Sequence, residues 1–378
     1  MTTAGPLAGI TVIELAGLGP APFAAMVLAE MGAEVIRIDR PRPAALAAMP
    51  PAADLLNRGK RSVVLDLKDP DAVAAVLDLC AGADVLIEGY RPGVAERLGL
   101  GPDVVHARNP ALVYGRMTGW GQDGPLATTA GHDIGYVAVT GALGAMGDAG
   151  GPPQIPLNLV GDFGGGSNYL VMGVLAALFE ARATGRGQVV DAAIVDGVSH
   201  LLTVIHALLA SNRWTDERGV NLLDGGTPYY AVYATSDGRH MAVGALEPQF
   251  YEELLRLLEL DIDPRAQQDR DTWPALRAAL TERFAARTQA HWSEVFDGTD
   301  ACVAPVVSLY EAAAHPQVAS RRSLAEVDGV LQPLPAPRFS AHPQATPQTA
   351  PTIGADTREI LERVGRDALV DTGAAVQA

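Results

Sequence analysis

The sequence predicts an α/β protein with a large doubly wound domain and a smaller α+β domain. Three observations lead to this prediction. Short β-branched runs alternate with apolar helical segments from residue 10 to residue 119, the pattern changes to a β-hairpin and amphipathic helices near residue 225, and a proline-rich stretch follows at 331–354. Repeated strand–helix–strand units are typical of a Rossmann-like parallel sheet with helices on both faces.

The large domain is predicted from the change between the two periodicities along the chain. β-branched runs of about six residues indicate buried strands, and longer apolar segments that end at glycine indicate helices. In chain order, the predicted elements are strand 10–15, helix 23–32, strand 34–39, strand 62–67, helix 69–82, strand 84–89, helix 92–99, strand 111–119, helix 169–185, and a strand followed by a helix within 188–214.

The smaller domain begins where residues 225–246 alternate like a hairpin around the turn sequence "SDGR". Helices are predicted at 248–260, 272–287 and 291–298, and a last helix at 355–365. We expect the final residues of the chain to be frayed, as chain ends often are. The predicted domain boundaries are 1–186 for the large domain, 187–224 for a linking strand and helix, 225–325 for the small domain, and 326–378 for a proline-rich strap and C-terminal helix that return to the large domain.

Composition excludes several classes of function. A formal net charge of −16 argues against nucleic-acid binding, which requires a basic face. No apolar stretch has the length of a membrane span, and the first residues lack the basic start of a secretory signal, so we expect a cytoplasmic protein with no membrane contact. We also expect no metal site, because no cluster of metal ligands occurs.

Basic residues are concentrated in one segment of this acidic chain. An even spread of the 28 lysines and arginines over 378 residues would place about two or three in the window 37–68, which contains seven. This concentration indicates either a site for a small ligand with several negative charges or a solvated surface of salt-bridged arginines. The seven residues are Arg37, Arg40, Arg42, Arg58, Lys60, Arg61 and Lys68.

The loop "GLGPAP" after the first strand resembles the start of a dinucleotide-binding fingerprint. Pro22 stands where the third glycine would be, and Arg40 follows the second strand. Asp39 beside it could act as a ribose-binding acid, so a nicotinamide site stays open as a weakly supported alternative.

Two glycine-punctuated loops carry the residues best suited to proton transfer. His132 and Asp133 lie in "TTAGHDIGY", and Asp162 lies in "PLNLVGDFGGGS". Histidine and carboxylate side chains are the usual general acids and bases near neutral pH. A structural histidine and a turn or capping aspartate are the alternatives for these positions.

The chain resembles the family III CoA-transferases of the CaiB/BaiF type. The similarity includes "GITVIELAGLGPAPFAAMVLAEMGAEVIRIDRP", "NRGKRSVVLDLK", "MTGWGQDGP", "AGHDIGY", "PLNLVGDFGGGS", "GGTPYY", "GALEPQFY" and "PAPRFS", in order along most of the chain. It implies an acyl-CoA substrate, with CoA as part of that substrate and no further cofactor. It also implies an interlocked homodimer whose active site lies between the large domain of one subunit and the small domain of the other.

Within this family the motifs are similar to those of the racemising branch. The resemblance implies that His132 and Asp162 flank the α-carbon of a 2-methyl-branched acyl-CoA and exchange its proton through an enolate. Such a pair carries one proton between its members and changes state at each turnover. The resemblance further implies that Glu247 of "GALEPQF" orients the histidine.

Other residues are assigned by the same resemblance. Asn158 and Tyr230 are expected to line the site. Gly164, Gly165 and Gly166 are expected to let the backbone approach the thioester and to present N–H groups to the enolate oxygen.

The basic residues fit the phosphates and adenine of CoA. Arg40 is expected against the adenine, and Lys60, Lys68 and Arg91 are candidates for phosphate contact.

Two other functions remain open at this point. In a CoA transferase of the same family, Asp162 would attack the acyl-CoA as a nucleophile and CoA would move to another acid. A CoA-binding protein without catalytic activity could also retain the fold.

Overall fold

A computed structural model describes residues 5–41 and 49–378. Within these residues the strands are β1 (Thr11–Leu15), β2 (Glu34–Asp39), β3 (Arg61–Leu65), β4 (Val85–Glu88), β5 (Val113–Thr118), β6 (Val189–Ala193), β7 (Tyr230–Ala234), β8 (His240–Gly244), β9 (Val303–Val306), β10 (Leu324–Val327), β11 (Val330–Pro333) and β12 (Ala375–Val376). The predicted alternation of strands and helices is confirmed over the described residues of this part of the chain, 5–41 and 49–119.

The helices share common start and stop signals. Proline occupies the first turn of several of them, where its missing N–H costs nothing, and α7 ends at Gly185 with a φ of 70°. The helices are α1 (Pro20–Glu30), α2 (Pro70–Ala81), α3 (Val94–Arg97), α4 (Pro102–Arg108), α5 (Asp133–Val139), α6 (Ala142–Ala145), α7 (Asn168–Thr184), α8 (Ile194–Leu201), α9 (Thr203–Ala210), α10 (Pro248–Leu257), α11 (Trp273–Ala285), α12 (Gln289–Phe296), α13 (Pro316–Ser320), α14 (Thr357–Glu362) and α15 (Ala368–Thr372), and a π-helix spans Leu159–Ser167.

The large sheet has the strand order β12-β3-β2-β1-β4-β5-β6 in the described part of the chain. Strands β1 to β6 pair in parallel, with Val12 of β1 opposite both Val35 of β2 and Val85 of β4. The direction of winding therefore reverses between β1 and β4. This is the doubly wound arrangement that the sequence predicts, and the α/β fold class is confirmed.

The core of the large sheet follows from its apolar strands. Ile13, Ile36 and Leu86 are buried on three adjacent strands and pack with Val76 of α2. Because both faces of a parallel sheet are covered by helices, these strands read as nearly continuous apolar runs. Among the described residues, no helix is both long enough and apolar enough to cross a bilayer.

The chain end is ordered in the sheet, so the prediction of frayed final residues is wrong. Ala375 and Val376 form the antiparallel edge strand β12 opposite Leu65 and Val64 of β3. Thr357 fastens this end, because its hydroxyl donates to the carbonyl of Val376 at 2.7 Å.

The described residues form two compact units. The first contains the residues up to Thr140, Leu157–Leu201 and Ala313–Ala378, and the second contains Gly141–Pro156 and Leu202–Ala312. The second unit holds the hairpin β7–β8 with β9 as third strand, and its core includes Tyr229, Tyr251 and Phe284. Its bounds differ from the predicted 225–325, because residues 141–156 and 202–224 also pack with it.

Candidate active site

A cavity of ≈ 610 Å³ lies at the carboxyl ends of β1, β2, β4 and β5, with Ile194 beyond β6 on its wall. In open α/β sheets, ligands bind in this position, where the strand order reverses. Seven residues that the sequence analysis singled out line this one cavity: Arg37, Asp39, Arg40, Arg91, His132, Asp133 and Asp162.

His132 stands directly before α5 as its N-cap residue, in extended backbone conformation, and it is exposed. One turn later on α5, the ring of Tyr136 packs edge-on against Trp120, with ring centroids 4.7 Å apart. Gly119 and Gly131 leave room for that ring, because a Cβ atom at either position would lie within 2.5 Å of it. These two glycines therefore fix how the histidine-bearing segment packs.

Asp162 lies in the π-helix, a rare conformation that occurs often at functional sites. The buried Ser167 ties this element to α1, because its hydroxyl is 2.8 Å from the carbonyl of Pro20 and 3.0 Å from that of Asp162. Phe163 also stacks on Phe23 of α1 at 4.5 Å between centroids. The backbone that carries the acid is thus held on one side by α1.

The surroundings of Asp162 favour its protonated form. Burial is the main cause and the charge of Asp133 adds to it, and together they raise the pKa of Asp162 to about 6. A hydrogen bond with Asn158 and the charge of His132 act in the opposite direction. The result lies near the ordinary imidazole value of about 6.5, as proton exchange between an acid and a histidine requires.

The glycines after Asp162 pack closely against protein. A Cβ atom on Gly165 would lie 2.7 Å from the backbone nitrogen of Val198 in α8, and one on Gly166 would lie 3.0 Å from Ile194. At Gly164 it would meet the carbonyl of Leu159, within the π-helix itself, at 2.8 Å. None of the three glycines lines the cavity. Close packing thus accounts for the missing side chains, and the role of their N–H groups at the enolate oxygen stays a prediction.

Two exposed arginines line the end of the cavity near β2 and β4. Arg40 lies over the ring of Tyr90, 5.5 Å from its centroid, and Arg91 follows directly. Beneath them the buried Glu88 accepts the N–H of Tyr90 at 2.6 Å and pairs with Arg116 at 3.0 Å. A charged, hydrogen-bonded support therefore fixes this loop.

Asp39, the possible ribose-binding acid, is already engaged. Arg37 pairs with it at 2.9 Å, and the Ser62 hydroxyl donates to it at 2.7 Å. Both residues of the Arg37–Asp39 pair are buried. The carboxylate is therefore neutralised within the protein, which disfavours the nicotinamide alternative.

The structure contradicts Lys60 as a phosphate ligand. Its ammonium group is fully buried and lies 2.6 Å from the equally buried carboxylate of Glu14. It also donates to the carbonyl of Pro22 at 3.0 Å. An ammonium that is shielded from solvent and already paired cannot contact a bound anion.

Most of the other basic residues also have partners within the protein. Arg58 pairs with Glu30, and Arg61 pairs with Asp356. The salt-bridged alternative thus describes this part of the basic segment. Lys68 is exposed and does not line the cavity.

Three further predicted residues lie outside the cavity wall or outside the described part of the chain. Arg42 lies outside the described residues. Glu247 and Tyr230 belong to the second compact unit, where Glu247 is the exposed N-cap residue of α10 and Tyr230 begins β7. Their roles at the site stay predictions.

Two residues of α5 line the cavity in addition to the predicted bases: Tyr136, which the sequence did not single out, and Asp133, for which the sequence indicated acid–base chemistry but no structural contact. Tyr136 has its pKa raised, mainly by burial and then by the charge of Asp162. Asp133 accepts the backbone N–H of Asp162. The spacing "HDIGY" places both on the first turn of a helix after His132, which was the signal available in the sequence.

Comparisons with known proteins agree with this fold. The model of CoA-transferase family III matches residues 7–357. The human protein named alpha-methylacyl-CoA racemase is 44% identical over 95% of this chain and 93% of its own length. An acetyl-CoA:oxalate CoA-transferase from Acetobacter aceti is 32% identical over 87% of this chain and 88% of its own length.

The solved structure of a CaiB/BaiF family protein from Brucella suis is also similar. It has a TM-score of 0.79 and 26% sequence identity, and the alignment covers 96% of this chain and 100% of that one. The fold, the family model and near-full-length relatives agree, and the chain belongs to CoA-transferase family III.

Proposed function

We propose that the chain is an isomerase that epimerises the α-carbon of 2-methyl-branched acyl-CoA thioesters. Its relative at 44% identity over nearly the whole chain is named alpha-methylacyl-CoA racemase, which supports this activity. The observation that carries the mechanism is the presence of His132 and Asp162 on the wall of one cavity. One group removes the α-proton and the other returns a proton to the opposite face of the enolate.

The electrostatics of Asp162 suit proton transfer. With its pKa raised to about 6, this acid exchanges its proton readily near neutral pH. Burial and the neighbouring Asp133 destabilise its charged form, which favours uptake of the α-proton by the carboxylate.

CoA enters this proposal as part of the substrate, and no further cofactor takes part. Arg40 and Arg91 are the charged residues on the cavity wall that suit its phosphates, since guanidinium groups bind phosphate oxygens in bidentate fashion. The flat guanidinium of Arg40, close to Tyr90, also suits an adenine ring. Lys68 is retained as an outer phosphate contact.

Incubation in heavy water separates the two activities. One epimer of a 2-methylacyl-CoA is incubated with the protein, with and without an added carboxylic acid. We expect loss of chirality together with deuterium at the α-carbon, whether or not the acid is present. CoA transfer to the added acid without deuterium at the α-carbon would contradict the proposal.

We further propose that the protein acts as a homodimer. Helix α9 is apolar, yet none of its residues is buried, and Val204 is 55% exposed. In the first unit, Met172 and Phe179 on α7 are 54% and 81% exposed. Exposed apolar helix faces of this kind are typical of surfaces that a second subunit covers.

A mixed dimer tests whether Glu247 acts on the histidine of the other subunit. His132→Ala and Glu247→Ala chains with different affinity tags are co-expressed, and the mixed dimer is isolated. Each parent homodimer should be inactive, whereas the mixed dimer contains one site with both residues intact and should recover about half of the wild-type turnover. If Glu247 acts within its own subunit, both sites of the mixed dimer are damaged and no activity returns.

A further inference from the structure

We propose that Asp133 is a positioning residue that fixes the acid Asp162 relative to the histidine His132. This inference rests on the proposed function, because it concerns the relative placement of the two bases. Asp133 acts through the backbone of the acid-bearing segment and not through the substrate. Its position next to His132 means that one residue joins the two segments that carry the chemistry.

The contact between the segments is direct and short. The Oδ1 atom of Asp133 accepts the backbone N–H of Asp162 at 2.6 Å, across 29 residues of sequence. An acid in the first turn of a helix usually serves the exposed N–H groups of that helix. Here the carboxylate binds a different segment, which makes it a link between elements rather than an ordinary helix cap.

The neighbouring Gly161 fits this link. A Cβ atom at Gly161 would lie 2.1 Å from Oδ1 of Asp133 and 2.9 Å from Cγ2 of Val137. Any side chain at this position would therefore force the π-helix away from α5. The bare backbone of Gly161 lets the carboxylate reach the N–H of Asp162, so the glycine and the aspartate act together.

The same contact brings a negative charge close to the acid. Asp133 is half-buried, and its charge is the second cause of the raised pKa of Asp162, after burial. Of the other ionisable groups of this segment, His132 lowers the pKa of Asp162, and Asp162 in turn raises the pKa of Tyr136. The link therefore sets both the position of Asp162 and part of its proton affinity.

Among the described residues, the charged groups that shift the pKa of Asp162 are Asp133 and His132, and neither of them belongs to α1, α7 or α8. Glu180 and Arg182 on α7 are exposed, as are Asp196 and His200 on α8. Glu30 of α1 is paired with Arg58. Asp133 is thus the carboxylate through which a substitution can alter Asp162 without changing its burial.

Two substitutions separate the positional effect from the charge. Asp133→Asn retains an oxygen that can accept the N–H of Asp162 but removes the charge, whereas Asp133→Ala removes both. Asp103→Ala is the matched control, because Asp103 is an exposed acid in the first turn of α4 in the same unit. Exchange of the α-proton in heavy water, kcat, KM and Tm are measured for each epimer across pH.

We expect Asp133→Ala to lower kcat by about 10²-fold, as a misplaced catalytic group does, with KM little changed. Asp133→Asn should restore most of this loss. Because it removes a negative charge near Asp162, it should also move the acid limb of the pH profile to lower pH for the epimer from which Asp162 takes the proton. The control should behave like the wild type.

The outcomes distinguish this inference from the function on which it rests. If the wild-type protein exchanges the α-proton and Asp133→Ala has a kcat close to that of the wild type, the positioning role is overturned but the proposed function is not. So does an equal loss of kcat in both Asp133 variants with an unshifted pH profile. If Asp133→Ala does not fold, the pH profile of Asp133→Asn is the test: a shifted acid limb supports the inference, and an unshifted one overturns it. A wild-type protein that exchanges no α-proton overturns the proposed function and this inference with it.

Discussion

Replacing Lys60 with methionine tests the buried ion pair at the base of the large sheet. The change removes the ammonium that lies 2.6 Å from Glu14, while both side chains are fully shielded from solvent. Among the described residues, one oxygen of Glu14, Oε1, has no hydrogen-bond partner even with Lys60 in place. The variant therefore leaves a carboxylate that is shielded from water and has lost its direct ion-pair partner, with the charge of Arg37 as its remaining electrostatic support.

The size of the effect follows from the cost of an unpaired buried charge. Removing one partner of a buried pair costs about 3–5 kcal/mol of unfolding free energy. For a large domain each kcal/mol lowers Tm by about 2–4 °C, so the variant should melt about 6–20 °C below the wild type. The exposed Lys68→Met is the matched control and should change Tm little, because surface substitutions usually remain within about 0.5 kcal/mol.

The loss of unfolding free energy in Lys60→Met should also depend on pH. Burial raises the pKa of Glu14 above its ordinary value of 4.5, and Lys60 opposes that shift in the wild type. In Lys60→Met the larger of the two opposing charges is absent and that of Arg37 remains, so the folded state binds the proton of Glu14 still more tightly than the unfolded chain does. The destabilisation should therefore be small below pH 4.5 and should grow as pH rises through the raised pKa.

Thermal denaturation by circular dichroism at several pH values provides the measurement. Glu14→Met combined with Lys60→Met should recover most of the lost stability, because two apolar side chains leave no buried charge. The reasoning is refuted if Lys60→Met melts like Lys68→Met while its KM for an acyl-CoA rises tenfold. That result would restore Lys60 as a ligand of the CoA phosphates.

Two other predictions concern the cavity itself. Asp162→Asn should raise Tm above pH 6 but not below pH 3.8. The pKa of Asp162 is raised from 3.8 to about 6, so its ionised carboxylate destabilises the folded state only at higher pH. A Tm gain that does not vary with pH would contradict this prediction. Arg40→Ala and Arg91→Ala should each raise KM for the acyl-CoA by about 10–100-fold with little change in kcat or Tm, because each removes a hydrogen bond to a charged group. Steady-state kinetics test this prediction, with Arg97→Ala as a surface control. An unchanged KM would remove these arginines from CoA binding.

The fold was largely predictable because its signals are local. Runs such as 34–39 and 84–89 are buried on both faces of the sheet, so their apolar character is continuous and easy to recognise. The edge strand Ala375–Val376 gave no such signal, because two residues have no periodicity and their pairing depends on β3, some 300 residues earlier. The π-helix was likewise invisible, since no hydrophobic pattern distinguishes it from a loop.

The candidate site was predictable where the family resemblance supplied a motif. His132 and Asp162 follow motifs that the family resemblance identified, and both line the cavity. The basic segment left two interpretations open, because charge density along the chain does not show which side chains face inward. The partner of Lys60 is Glu14, which lies 46 residues away on a different strand.

Glycine-rich stretches posed a similar problem. The three glycines after Asp162 were interpreted as space for a ligand, but the backbone that needs the space belongs to the protein. Gly197 shows this most clearly, because a Cβ atom there would lie 1.8 Å from the carbonyl oxygen of Gly165. Sequence alone cannot tell whether a glycine makes room for a substrate or for another helix.

The α-proton exchange of single-base variants, measured separately on each pure epimer in heavy water, tests the two-base mechanism most directly. If His132 and Asp162 serve opposite faces, His132→Ala should lose exchange with one epimer and keep it, without inversion, with the other. Asp162→Asn should show the reverse pattern. Equal loss of exchange with both epimers in each variant, or exchange that persists with both epimers in either variant, would contradict the account.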